Sequence, residues 1–218
     1  MAGKGVANVP RRIPLSRERV LRTAIDLADE DGIESLSMRR LGRVLGVEAM
    51  SLYNHVANKQ AVVDGVVGLA CTEIEVDADG PWDERLRSGL GSFRAVGLRH
   101  PHVFPLIPAS AIEVVIGPME GALDCLRVAG LSDDDVIAAY RTLVGYTFGV
   151  TLAEIAGWVD AAKVPCDGPV DPAIVDGYPN VMWLVQQSAG CDAEAVFSQG
   201  LDLILRGIAA LAERTRSA

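Results

Sequence analysis

The sequence predicts an all-α chain with an N-terminal three-helix helix-turn-helix head and a larger C-terminal helical body. Three observations support this. Apolar residues recur at i, i+3 and i+4 through most of the 218 residues, and no long run alternates as a strand would. Half of the residues are apolar, which is ample for a packed core. Glycines, prolines and capping residues fall between the periodic runs, where helices must stop and start.

Residues 1–14 read as a flexible basic arm, because Gly3, Gly5, Pro10 and Pro14 prevent a continuous helix. Ser16 is the candidate N-cap of the first helix, whose stripe is Val20, Leu21, Ala24, Ile25, Leu27 and Ala28. Gly32 ends it, and Ser37 caps a second helix through Leu45, with Leu41, Val44 and Leu45 expected to face inward. Gly46 supplies the backbone freedom for a tight turn. A third helix is expected from Ala49 to about His55. At about 100° per residue, Leu52, Val56 and Ala49 share its buried side, while Met50, Ser51, Asn54 and His55 point away and Tyr53 lies at the flank. An ordinary solvated face prefers Glu and Lys. This one offers side chains suited to base edges and phosphates, as the second helix of a helix-turn-helix does in the major groove.

Net charge agrees once the chain is divided. The total is −9, but residues 1–60 hold ten Lys and Arg against seven Asp and Glu. The remaining residues hold ten against twenty-two, so a basic head stands on an acidic body. Four cysteines lie far apart without metal-ligand spacing and read as reduced, buried thiols; no metal and no cofactor are expected. A signal-peptide core and a bilayer-length apolar stretch are not recognised, so a cytoplasmic protein without a membrane partner is expected. No Ser-His-acid set, phosphate loop or metal cluster points to an enzyme.

The segment Leu36 to Lys59, especially Leu52-Tyr53-Asn54-His55-Val56 followed by Asn58-Lys59, resembles the signature of the tetracycline-repressor (TetR) family. Gly32-Ile33 before it and Gly46-Val47 at the turn match as well. The resemblance implies a transcriptional regulator that binds double-stranded operator DNA as a homodimer and answers to a small-molecule effector. It places DNA contacts on Met38, Arg39, Ala49, Met50, Ser51, Tyr53, His55 and Lys59; the face arithmetic adds Asn54. Departures at Met38, Ala49 and Met50 from the family's usual residues bear on the operator sequence rather than the binding mode. The alternative reading is a small-molecule sensor that acts through a protein partner without reading DNA.

The head is expected to span residues 15–60 and the body 61–218. Asn58 caps a fourth helix through about Thr72, which in the family links the head to the ligand domain. Pro81 begins a fifth helix to about Arg99, and the His100 to Ser110 stretch, bent by prolines, follows. Next come helices from about Ala109 to Ala129 and from Ser132 to Val159. Lys163 to Asn180 reads as a long loop with four prolines, and a last helix runs from Ala193 to about Glu213. Weaker likeness to the tetracycline repressor's own C-terminal domain lies in Arg99-His100-Pro101, Leu126 to Leu131 and Gly145 to Glu154.

Two sets of candidates follow. Phe93, His102, Phe104, Ile107, Met119, Tyr140, Tyr146 and Thr147 are candidates to line a pocket for a largely apolar effector. Gly145, Gly149, Ala153 and Gly157, recurring every four residues, form a small-residue face. With Phe197, Leu201, Ile204 and Ile208 of the last helix, they are candidates for a symmetric four-helix dimer interface.

Overall fold

The computed structural model describes residues 14–157, 177–188 and 192–217, and their regular structure is entirely helical. All but the last residue of the expected arm at 1–14 and most of the Lys163 to Asn180 loop lie outside the described residues, as do Cys166 and Cys191. The chain divides into two compact units, the first ending at Val66 and the second beginning at Val67. The division expected at residues 60 and 61 therefore falls further along, inside a helix. The local reason is Gly65: a Cβ there would lie 2.6 Å from a Leu21 methyl, so this stretch packs closely on the first helix.

In the first unit, α1 (Arg17–Asp31) starts where the Ser16 hydroxyl accepts from the Arg19 N–H at 3.2 Å, and it ends at Gly32 with φ 80°. A single 3₁₀ turn, Ile33–Ser35, leads to α2 (Met38–Leu45), capped by the Ser37 hydroxyl accepting from the Arg40 N–H at 3.2 Å. Arg40 in turn donates to Ser35 Oγ at 2.7 Å and pairs with Asp31, tying α2 to the end of α1. Leu41 and Leu45 are buried as expected, but Val44 is 56% exposed. Leu41 and Leu45 sit one turn apart on the inward line of this short helix, and Val44 falls about 80° to the side of that line.

Short α3 (Ala49–Leu52) follows, then α4 (Lys59–Cys71), where the Asn58 carboxamide oxygen accepts from the Ala61 N–H at 2.8 Å. Val20, Ala24, Leu41, Leu52 and Val62 are fully buried and form the centre of this unit.

The second unit contains α5 (Trp82–Arg99), α6 (Ile112–Val128), α7 (Asp133–Ile155), α8 (Pro179–Ser188) and α9 (Ala193–Ser217). A 3₁₀ segment, Phe104–Ala109, precedes α6 where Pro105 and Pro108 cannot supply an α ladder's donors, so α6 starts at Ile112 rather than at the expected Ala109. α8 begins at Pro179, within the expected loop. One core joins Leu86 and Leu90 of α5, Leu126 of α6, Leu143 of α7, and Phe197, Leu201, Leu205 and Ile208 of α9. Arg94, on α5, crosses this core's edge. Its guanidinium pairs with both oxygens of Glu154 at 2.8 and 2.9 Å, pairs also with Glu194, and stacks 5.2 Å from the Phe197 ring centre.

Contrary to the sequence reading, α7 and α9 are both long and apolar enough in composition to cross a membrane. Both send one face into the body's core, Val136 and Leu143 from α7 and Leu201, Leu205 and Ile208 from α9.

Candidate nucleic-acid interface and ligand pocket

The α2–α3 corner is held by two glycines of different kinds. Gly46 adopts the left-handed conformation, φ 69° and ψ 33°, which side chains disfavour. Gly42 lies where α2 and α3 come closest: a Cβ there would be 2.9 Å from the Val47 carbonyl and 3.2 Å from the Ala49 nitrogen. Backbone, not side chain, blocks that space, so the corner admits only hydrogen at this position.

This clamp presents the expected reading face, with one change. Met50 is 75% exposed and Tyr53 45%, and Asn54, Arg39 and Lys59 are also exposed. Met38, Ala49, Ser51 and His55 are half-buried. The α-helix stops at Leu52, and the Tyr53 N–H reaches back only to the Met50 carbonyl at 3.3 Å. Three-residue spacing advances about 120° per residue, which turns Tyr53 outward and brings His55 back over buried Leu52. The flank residue thus becomes central, and His55 moves to the edge.

In the second unit a cavity of about 540 Å³ opens among α5, α6, α7 and the segment before α5. Phe93, Ile107, Met119 and Tyr140 line it, as anticipated. The other four candidates do not. His102 is exposed on the turn after α5, and Phe104 is buried, stacked on Phe148 with centroids 4.9 Å apart. Tyr146 donates to the Phe197 carbonyl at 2.8 Å, lying about 240° round α7 from Tyr140. Thr147 is fully buried, away from the cavity, with its hydroxyl unpartnered.

The residues missed have a readable pattern in part. Tyr140, Val144 and Phe148 line the cavity at i, i+4 and i+8 of α7, with Arg141 and Gly145 beside them. Ile74 and Val76, from the segment between α4 and α5, had no periodicity to reveal them. Val76 inserts between two helices that lack side chains to meet it. A Cβ on Gly89 of α5 would lie 3.0 Å from one Val76 methyl, and a Cβ on Gly121 of α6 would lie 3.2 Å from the other. The same segment is stapled by the Ser92 hydroxyl, which accepts from the Glu75 N–H at 2.9 Å. Glu73 completes it. Burial alone would raise its carboxyl, but bonds from Arg99 and His100 hold it below the ordinary range.

The interface candidates separate sharply. Gly145 and Gly149 are exposed, with open space where a Cβ would stand. Ala153 is half-buried and Gly157 buried. Phe197, Leu201 and Ile208 are corrected: they are spent inside this chain's own core, and Ile204 packs against it. Gly200 likewise makes room for the Tyr146 hydroxyl rather than for another chain. The open side of α9 is Leu203, 69% exposed, with Gly207 next to it. Cys71 and Cys125 are buried free thiols, and burial pushes Cys71 up to about 11. No group of three or more His, Cys, Asp or Glu suited to a metal occurs among the described residues.

A glycine-clamped helix-turn-helix joined to a helical unit with an apolar cavity defines a DNA-binding regulator. Comparison with known proteins agrees. The profile of the "Tetracyclin repressor-like, C-terminal domain" family matches residues 76–212. The HTH-type transcriptional repressor DrrR1 of Streptomyces coeruleorubidus is 30% identical, over 93% of this chain and 80% of that protein. ActR of Streptomyces coelicolor, solved with actinorhodin, superimposes with a TM-score of 0.78 at 28% identity, over 92% of this chain and 99% of ActR. BioQ, solved with its double-stranded DNA operator, gives 0.64 at 28%, over 90% and 99%. The chain belongs to the TetR family. It is a transcriptional regulator with a DNA-binding helix-turn-helix, not an enzyme.

Proposed function

We propose that this regulator is a ligand-responsive repressor, active in the cytoplasm as a homodimer on an inverted-repeat operator, released by a small, largely apolar effector and needing no cofactor. One observation supports it above the others: the chain holds both an exposed Met50-Tyr53-Asn54 face and an apolar cavity of drug-like size. The repressor name of its relative, the operator held by BioQ and the ligand held by ActR support the same reading.

The apolar residues left open on α7 and α9, Ile137 and Leu203, beside the uncrowded glycines 145, 149 and 207, supply a self-complementary surface for dimerisation. Two heads held one DNA turn apart, about 34–36 Å, would match successive major grooves. An effector that prefers a different separation withdraws the DNA-competent state in proportion to its differential affinity.

Selection from random duplexes tests the whole reading and is expected to enrich an inverted repeat. On that repeat, Tyr53→Ala and Lys59→Ala should weaken binding by about 10- to 100-fold without lowering thermal stability, since both side chains are exposed. Wild-type affinity in both variants would remove the assigned face. Light scattering on Gly149→Leu should show dissociation; an intact dimer would take α7's glycine face out of the interface.

A further inference from the structure

The body is acidic overall, which by itself favours cationic ligands, yet the cavity wall has the opposite character. Among the described residues its lining contains no carboxylate, carboxamide or imidazole, and its polar members are Arg85, Ser110, Tyr140 and Arg141. Two of these are already engaged. Arg85 donates to the Asp77 carbonyl and to the Asp124 carboxylate, each at 2.9 Å. The Ser110 hydroxyl donates to the Leu106 carbonyl at 3.1 Å. Neither the Tyr140 hydroxyl nor the Arg141 guanidinium has a hydrogen-bond or ion-pair partner among the described residues; they are adjacent on α7, Tyr140 half-buried and Arg141 exposed at the cavity's rim. The rest of the wall is apolar, with the Phe93 and Phe148 rings both packed on Phe104 and so fixed in place.

A buried ammonium would find no carboxylate on this wall, only neutral hydroxyl oxygens, and would meet guanidinium charge, with the nearby Asp124 carboxylate already held by Arg85. A carboxylate, sulfonate or phenolate would find a charged donor and a neutral one side by side. We infer that the effector is an acidic aromatic amphipath, its rings seated between Phe93 and Phe148 and its anionic group held by Arg141 and Tyr140. This deepens the proposed function and rests on its assignment of the cavity as the effector site.

A pair of probes with one skeleton tests it: anilinonaphthalene sulfonate and phenylnaphthylamine, which lacks the sulfonate. Both are titrated by fluorescence into the full-length protein, into Arg141→Gln, and into Val144→Trp, whose indole fills the cavity. Arg141→Gln should weaken the sulfonate by about tenfold, as expected for one charge-assisted bond, and leave the neutral probe within about twofold. Arg141→Lys should restore part of the loss. Val144→Trp should displace both probes. If both probes bind but neither distinguishes Arg141→Gln from wild type, the anion site is wrong and the cavity assignment stands. If neither probe binds, or Val144→Trp leaves both unaffected, the cavity assignment fails and the anion site with it.

Discussion

The head and the body use the same residue type in opposite ways. In the head, Gly42 is required because backbone atoms two to four residues beyond its own helix stand where its side chain would be. In the body, Gly89, Gly121 and Gly200 lie tight against side chains from other elements, Val76 and Tyr146, while Gly145 and Gly149 meet nothing within 4 Å among the described residues. A local constraint builds the head's corner and long-range ones build the body, with Gly65 against Leu21 the head's own long-range case. The difference explains why a head can keep one shape while a body around a pocket changes its contents.

The largest break in that contrast should come from the body's long-range tie. Arg94→Ala strands the Glu154 carboxylate among three helices, and loss of a partner from a buried pair costs about 3–5 kcal/mol. Chemical denaturation should show that loss, whereas a midpoint unchanged from wild type would mean that the α5–α7–α9 tie is dispensable. Next is the head's close approach. Gly42→Val forces α2 from α3, a clash worth about 1–3 kcal/mol, and it should abolish operator binding while leaving probe binding in the cavity intact. If both activities fell together, the two units would not be independent in this respect.

The smallest effect concerns acid. Because the Glu73 carboxyl is held low in the folded protein, its contribution is fully present above the ordinary value of 4.5 and is lost as pH falls through the lower folded value. Glu73→Gln should therefore lower stability near neutrality by less than about 1 kcal/mol and flatten the acid limb, with the two proteins converging at low pH. An unaltered acid limb would show that Arg99 and His100 do not depend on it.

How much the sequence disclosed follows the same division. Ser16, Ser37, Gly46 and Asn58 each act on a backbone group within a few residues, so the head's caps and corner could be read directly. Two details escaped: Val44, expected inward but exposed on its short helix, and the tightened turn after Leu52, which moved Tyr53 and His55 from angles that assume a continuous α-helix. In the body, periodicity located α5, α6, α7 and α9 but not which apolar face met which. Phe197, Leu201 and Ile208 have the spacing of an interface and the burial of a core, and spacing cannot distinguish the two. Tyr146 and Tyr140 are similar in sequence, yet one is claimed by α9's carbonyls and the other is left on the cavity wall. Ile74 and Val76 had no pattern because an irregular strap obeys none.

That strap has a practical consequence for redesign. Val76 fits its two-glycine socket closely, so a side chain at Gly89 or Gly121 must push it, and with it a wall of the cavity, by a few tenths of an ångström or more. Libraries aimed at new effector specificity should therefore randomise Phe93, Met119, Val144 and Phe148 freely and keep Val76 and its two glycines fixed. Diversity confined in this way retunes the sensor and preserves the joint that carries the chain from the cavity into α4.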